Sequence, residues 1–146
     1  MLKLILDKLI YLIKVKTMDI ALLIGRILFG GYFMIMGLNH LMKMGQMADY
    51  AQSKRVPAPK VAVFVTGIML LLGGLGILLG TMIMWSVTLL VVFLVMTAFV
   101  VHSFWDVKDK QMRMMEMVNF MKNLALAGAA LTMLSIPEPW YMSLVF

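Results

Sequence analysis

A small set of polar side chains stands at the ends of long apolar runs, where their types and spacing could do chemistry. Asn39 and His40 close one run, His102, Trp105 and Asp106 close another, and Glu116, Asn119, Lys122 and Asn123 open a third. Asn119 and Asn123 are four apart, which on a helix points them the same way, and Glu116 extends that stripe of donors and acceptors. His102 and Asp106 are also four apart, a spacing at which a carboxylate orients an imidazole if the helix continues that far. An imidazole and an amide facing one pocket could hydrogen-bond two carbonyl oxygens, as on a quinone ring, or hold a lipid headgroup. The plainer reading is that these groups satisfy one another and staple loops to helix ends. The candidate ligand site is therefore Asn39, His40, His102, Trp105, Asp106, Glu116, Asn119 and Asn123, with no residue assigned a catalytic role.

Other chemistries are narrower. Methionine accounts for 18 of 146 residues, and thioethers are soft ligands for Cu(I), so Met36, Met44 and Met47, with His40 among them, are the metal candidates. Methionine is also a flexible filler of irregular helix contacts, which is the simpler use. The chain has no cysteine, which excludes disulfides, thiolate metal sites and dithiol redox chemistry. It has no phosphate loop, HExxH, nucleophile elbow or dinucleotide fingerprint. Two histidines are too few for a bis-histidine haem site with further ligands. Quinone or bound lipid suits the cluster, and no covalent cofactor is expected.

The elements that must position these groups are membrane spans. Hydrophobic residues make up 63% of the chain and charged residues 14%, too little charge for the surface of a soluble domain this size. The apolar residues fall in blocks of about 20, the length that crosses a roughly 30 Å hydrocarbon core at 1.5 Å per residue. The spans read 19–42, 61–80, 82–101 and 117–136, closed by Pro137 and Pro139. There is none of the polar–apolar alternation of a β-barrel. The expected fold is all-α: an integral membrane four-helix bundle (18–136) preceded by an N-terminal amphipathic interfacial helix (1–17) and followed by a tail (137–146). The location is the cell membrane, multi-pass. The net charge of +6 sits beside apolar segments, where lysines meet phospholipid headgroups, so the lipid bilayer and not nucleic acid is the expected partner.

Gly80-Thr81 makes a tight hairpin of the second and third spans. The segments 43–60 and 102–116 are long and polar, and alternation places both on one side of the membrane. Every candidate polar residue lies on that long-loop side, roofed by 43–60. Eight of the thirteen lysines and arginines lie there too, which favours cytoplasmic long loops under the positive-inside rule. Residues 1–17 put Lys3, Asp7, Tyr11 and Lys14 on one face, a pattern read as a helix lying in the headgroups rather than an extended first span. Arg26, two turns into the first span from the opposite side, is expected to snorkel outward or pair with Glu138. Gly76 and Gly80 have small-xxx-small spacing for helix pairing.

With the segments laid out, the chain resembles the DoxX family of small membrane proteins. The likeness runs over about residues 20–134. It is carried by Gly37-Leu38-Asn39-His40, the glycine-rich stretch Gly67–Gly80, His102-Ser103-Phe104-Trp105, and Phe120-Met121-Lys122-Asn123-Leu124-Ala125-Leu126-Ala127-Gly128. The resemblance implies a four-helix membrane bundle associated with membrane oxidoreductase systems, among them an archaeal thiosulfate:quinone oxidoreductase. Many relatives carry a glutamate in the second span just before the paired glycines, where this chain has Leu70. The expectation that follows is an auxiliary subunit of a larger membrane oxidoreductase, working with other membrane subunits and shaping a quinone or lipid site. The alternatives are a self-sufficient quinone-linked oxidoreductase using His40, His102 and Glu116, and a copper-handling accessory protein.

Overall fold

The fold follows from where helices can and cannot stop. A computed structural model describes residues 1–144, the side chain of Leu2 excepted. Its helices are α1 (Leu2–Met42), α2 (Met44–Ser53), α3 (Pro59–Leu79), α4 (Ile83–Val101) and α5 (Lys110–Thr132), with short 3-10 turns at Phe104–Asp106 and Met133–Ser135. Four of the helices are long and apolar enough to cross a membrane.

The separate interfacial helix expected at residues 1–17 is absent. α1 is continuous for 41 residues, about 62 Å at 1.5 Å per residue, and its N-terminal part belongs to a membrane-spanning helix. The reason is local. No glycine or proline precedes Gly25, and leucine, isoleucine and lysine keep the helix going. The Thr17 hydroxyl bonds back to the Ile13 carbonyl at 2.9 Å, so it does not cap a new start at Asp19. Lys3 through Met18 are exposed on this projecting length.

α1 and α3 cross with their backbones in contact. A Cβ at Gly30 would lie 2.7 Å from the Gly74 carbonyl oxygen, and one at Gly37 would lie 2.8 Å from that of Gly67. Gly30 and Gly37 are seven apart, as are Gly67 and Gly74, so each helix presents one small-residue groove to the other. Gly76 and Gly80 serve different purposes. Gly76 abuts Ser86 of α4, and Gly80 ends α3 in the left-handed conformation with φ +69°, which a glycine adopts without Cβ strain.

The end of α3 is fully satisfied by other parts of the chain. The last four carbonyls of a helix have no intrahelical partner and must be satisfied elsewhere. The Gly76 carbonyl accepts from the Thr81 N–H at 3.0 Å, and Leu79 accepts from the Leu144 N–H at 3.0 Å. Ile77 accepts from Arg26 Nε at 3.1 Å, and Leu78 accepts from Arg26 Nη2 at 2.8 Å. Arg26 Nη1 reaches the Tyr141 carbonyl at 2.6 Å, and the guanidinium lies 5.7 Å from the Trp140 ring centroid. Arg26 is thus buried, at 2% exposure, and neither snorkels nor pairs with Glu138. The partial negative charge at the helix end and the tail's carbonyl hold it instead. The core between the helices is built on Phe33, Leu70, Ile77, Leu90 and Leu94.

Candidate functional site

The membrane-crossing helices are joined in an open order. α1 packs on α3, α3 on α4 and α4 on α5, while α1 and α5 have no extended contact. Above this gap lies α2, which rests on α3 through Ala48, Ala51 and Val63 with Met44, Met47 and Val56 around them. Beneath α2 the five helices enclose a cavity of about 320 Å3, at the small end of the roughly 300–1,000 Å3 typical of ligand pockets.

The cavity is graded in polarity. Its deep wall is apolar, with Phe33, Leu70, Phe93 and Leu94, whereas its loop-side wall carries His40, His102, Asn119, Lys122 and Asn123. Phe33 lies seven residues below His40, about 10 Å along the helix. Among the described residues no carboxylate faces the space, so the polar end favours oxygen-rich or anionic groups.

Both histidines are oriented from behind. His40 Nδ1 donates to the Met36 carbonyl at 2.9 Å, which leaves Nε2 as the acceptor nitrogen of the neutral ring. His102 is the first residue after α4, its N–H bonded to the Thr97 carbonyl at 3.2 Å. Its Nδ1 donates to Glu116 Oε2 at 2.7 Å. The other carboxylate oxygen of Glu116 accepts from Lys54 Nζ. Lys54 caps α2, so one buried carboxylate ties the roof to the ends of α4 and α5. The Tyr50 phenol is pushed above its ordinary pKa by burial, with nearby Lys54 opposing and Glu116 reinforcing the shift. It therefore remains an O–H donor at the roof's edge.

The structure brings His40, His102, Asn119 and Asn123 together at the cavity and places Glu116 one layer behind them. It does not bring Asn39, Trp105 or Asp106 there. The expected His102–Asp106 pair does not form because α4 stops at Val101 and the chain turns through a 3-10 segment. Glu116 takes the place foreseen for Asp106. Trp105 joins Phe99, Phe104 and Phe120 in an aromatic cluster instead. Met36 and Met47 line the cavity with His40, while Met44, the first residue of α2, packs against the Ala48, Ala51 and Val63 contact instead. Sequence reasoning missed Lys54, which sits in the polar loop with nothing to single it out. It also missed Thr66 and Thr97, whose positions in apolar spans were the available signal.

Comparison with known proteins agrees with this architecture. The DoxX family profile matches residues 21–103. The chain is 30% identical over 125 residues to the inner membrane protein YphA of Escherichia coli (strain K12), covering 86% of this chain and 88% of that protein. No solved structure matches it. A family match over more than half the chain, with four helices long and apolar enough to cross a membrane, makes this protein a multi-pass integral membrane protein of the DoxX family.

Proposed function

We propose that this protein binds a small amphiphile of the quinone type in its intrabundle cavity and serves a membrane oxidoreductase as an auxiliary subunit. One observation carries the reading: two histidines, each held through Nδ1, line the polar end of a cavity whose far wall is apolar. With Nδ1 donating, each neutral ring offers Nε2 as an acceptor, which suits the two hydroxyl donors of the reduced, quinol ring, while the Asn123 amide can meet a ring oxygen. The apolar wall suits a hydrocarbon substituent. Leu70, at the position where many relatives carry a glutamate, lines this cavity and is buried, so this chain presents packing there and no proton-transfer group. The subunit role rests on the family likeness. A chain that reduced quinone unaided would draw on the same histidines.

The test is equilibrium binding of a decyl-substituted benzoquinol, kept reduced under anaerobic conditions, to the purified chain in mild detergent. His40→Ala and His102→Ala are each expected to weaken binding about tenfold, since one net hydrogen bond contributes roughly 1–1.5 kcal/mol. Asn39→Ala and Asp106→Ala are expected to leave it unchanged. Equal affinity in all four variants would remove the support for a site here. Native electrophoresis of the same extract addresses the subunit role: co-migration with a dehydrogenase or oxidase supports it, and a lone chain from native membranes contradicts it.

A further inference from the structure

Three of the residues that line the cavity are also exposed on the outside of the protein: Tyr32 on α1, Tyr50 on α2 and Lys122 on α5. All the other lining residues are buried or half-buried. A residue that faces both the cavity and the surroundings marks its mouth, so the mouth lies between α1, α2 and α5. These are the elements that bound the gap between α1 and α5, which lack extended packing. At the hairpin end, the bundle is tied across by Arg26 and the tail residue Tyr141. At the loop end the Lys54–Glu116–His102 connection holds the roof down.

The mouth has depth. Tyr32 is ten residues from the loop-side end of α1, about 15 Å below it along the helix and so near the middle of a roughly 30 Å hydrocarbon core. Tyr50 belongs to the roof, and Lys122 has a stem long enough to carry its ammonium toward the headgroups. Its ammonium already reaches back to Asn119 Oδ1 at 3.0 Å. The opening is thus a slot that runs from headgroup level to mid-membrane, with cationic and hydroxyl donors above and the Tyr32 ring below.

From this placement we infer that the cavity is loaded sideways from the membrane leaflet on the long-loop side, through a portal between α1 and α5 bounded by Tyr32, Tyr50 and Lys122, by a single-tailed amphiphile whose oxygen-bearing head passes Lys122. A water-soluble ligand has no use for a slot open at hydrocarbon depth. A ligand already dissolved in the leaflet meets the slot with its tail at the Tyr32 level and its head at the Lys122 level. The inference rests on the amphiphile-binding reading above and adds the route and the leaflet.

The absence of cysteine from the chain makes the test direct. Single cysteines are placed at Tyr32 and at Phe64, an exposed α3 residue that does not line the cavity, and each is coupled to a bulky maleimide in lipid nanodiscs. Binding and release of the decyl-substituted benzoquinol are followed by stopped flow. The label on Tyr32→Cys is expected to slow association by roughly tenfold and to slow dissociation with it, because a portal sets a barrier that entry and exit share. Unlabelled Tyr32→Cys reports that the fold is intact, and Tyr32→Ala is expected to speed both rates. A weaker Kd with unchanged association rate, or equal slowing by the Phe64→Cys label, would overturn the portal. Absence of binding by the unlabelled wild-type chain would instead overturn the amphiphile reading, and the portal with it.

Discussion

Replacing Glu116 by leucine should open the roof of the cavity without unfolding the bundle. The Glu116 carboxylate accepts from Lys54 on the roof and from His102 at the end of α4, with side-chain exposures of 21% for Lys54 and 12% for Glu116. Charge-assisted hydrogen bonds contribute roughly 1.5–3 kcal/mol each when buried. The Lys54 contact is discounted to about 1 kcal/mol, because its ammonium can turn out to water once released. What remains to hold α2 is its small apolar contact through Ala48, Ala51 and Val63. Loss of about 1 kcal/mol at such a joint raises the population of the open roof by roughly fivefold. The assay is amide hydrogen exchange on the protein in nanodiscs. Peptides covering Met44–Ser53 should lose about that factor of protection, and peptides from α3 and α4 should keep theirs. Lys54→Met removes the same roof contact and should reproduce the α2 effect. Uniform loss across all helices, or no loss in α2, would refute the clamp.

Gly37→Ala is expected to lower stability in detergent by about 1–3 kcal/mol, since its Cβ meets the α3 backbone and no side chain can yield. Gly128→Ala, with nothing within 4 Å, should be neutral or stabilising by up to about 1 kcal/mol; thermal unfolding compares the two. Arg26→Lys should free the tail, because an ammonium cannot serve three carbonyls in the planar fork that the guanidinium does. Limited proteolysis or exchange at Ile136–Leu144 should rise roughly tenfold or more, each charge-assisted hydrogen bond contributing about 1.5–3 kcal/mol. An unchanged tail would mean that Trp140 packing alone secures it.

Much of the architecture was legible because bilayer thickness sets an unambiguous length for apolar runs, and because alternation of spans sends His40, His102 and Asn123 to one end. Details that depend on how a helix ends were not. The His102–Asp106 spacing reads as a pair only on a continuing helix, and α4 stops one residue before His102. The N-terminal segment carries an amphipathic stripe, yet nothing between Lys14 and Asp19 breaks the helix, so it runs on into the first span. Arg26 has no carboxylate near it in the chain to foretell three backbone carbonyls, since these belong to segments 51 or more residues away. The Gly30/Gly37 and Gly67/Gly74 grooves are hidden among eleven glycines, and only the crossing of α1 and α3 distinguishes them.

The most direct measurement is native mass spectrometry of the chain released from its own membranes in mild detergent. Wild-type protein should carry one amphiphile of a few hundred daltons, retained at low collision energy, and the His40→Ala/His102→Ala double variant should be largely bare. A wild-type chain that emerges bare, or an adduct retained equally by the double variant, would contradict a ligand site at these histidines.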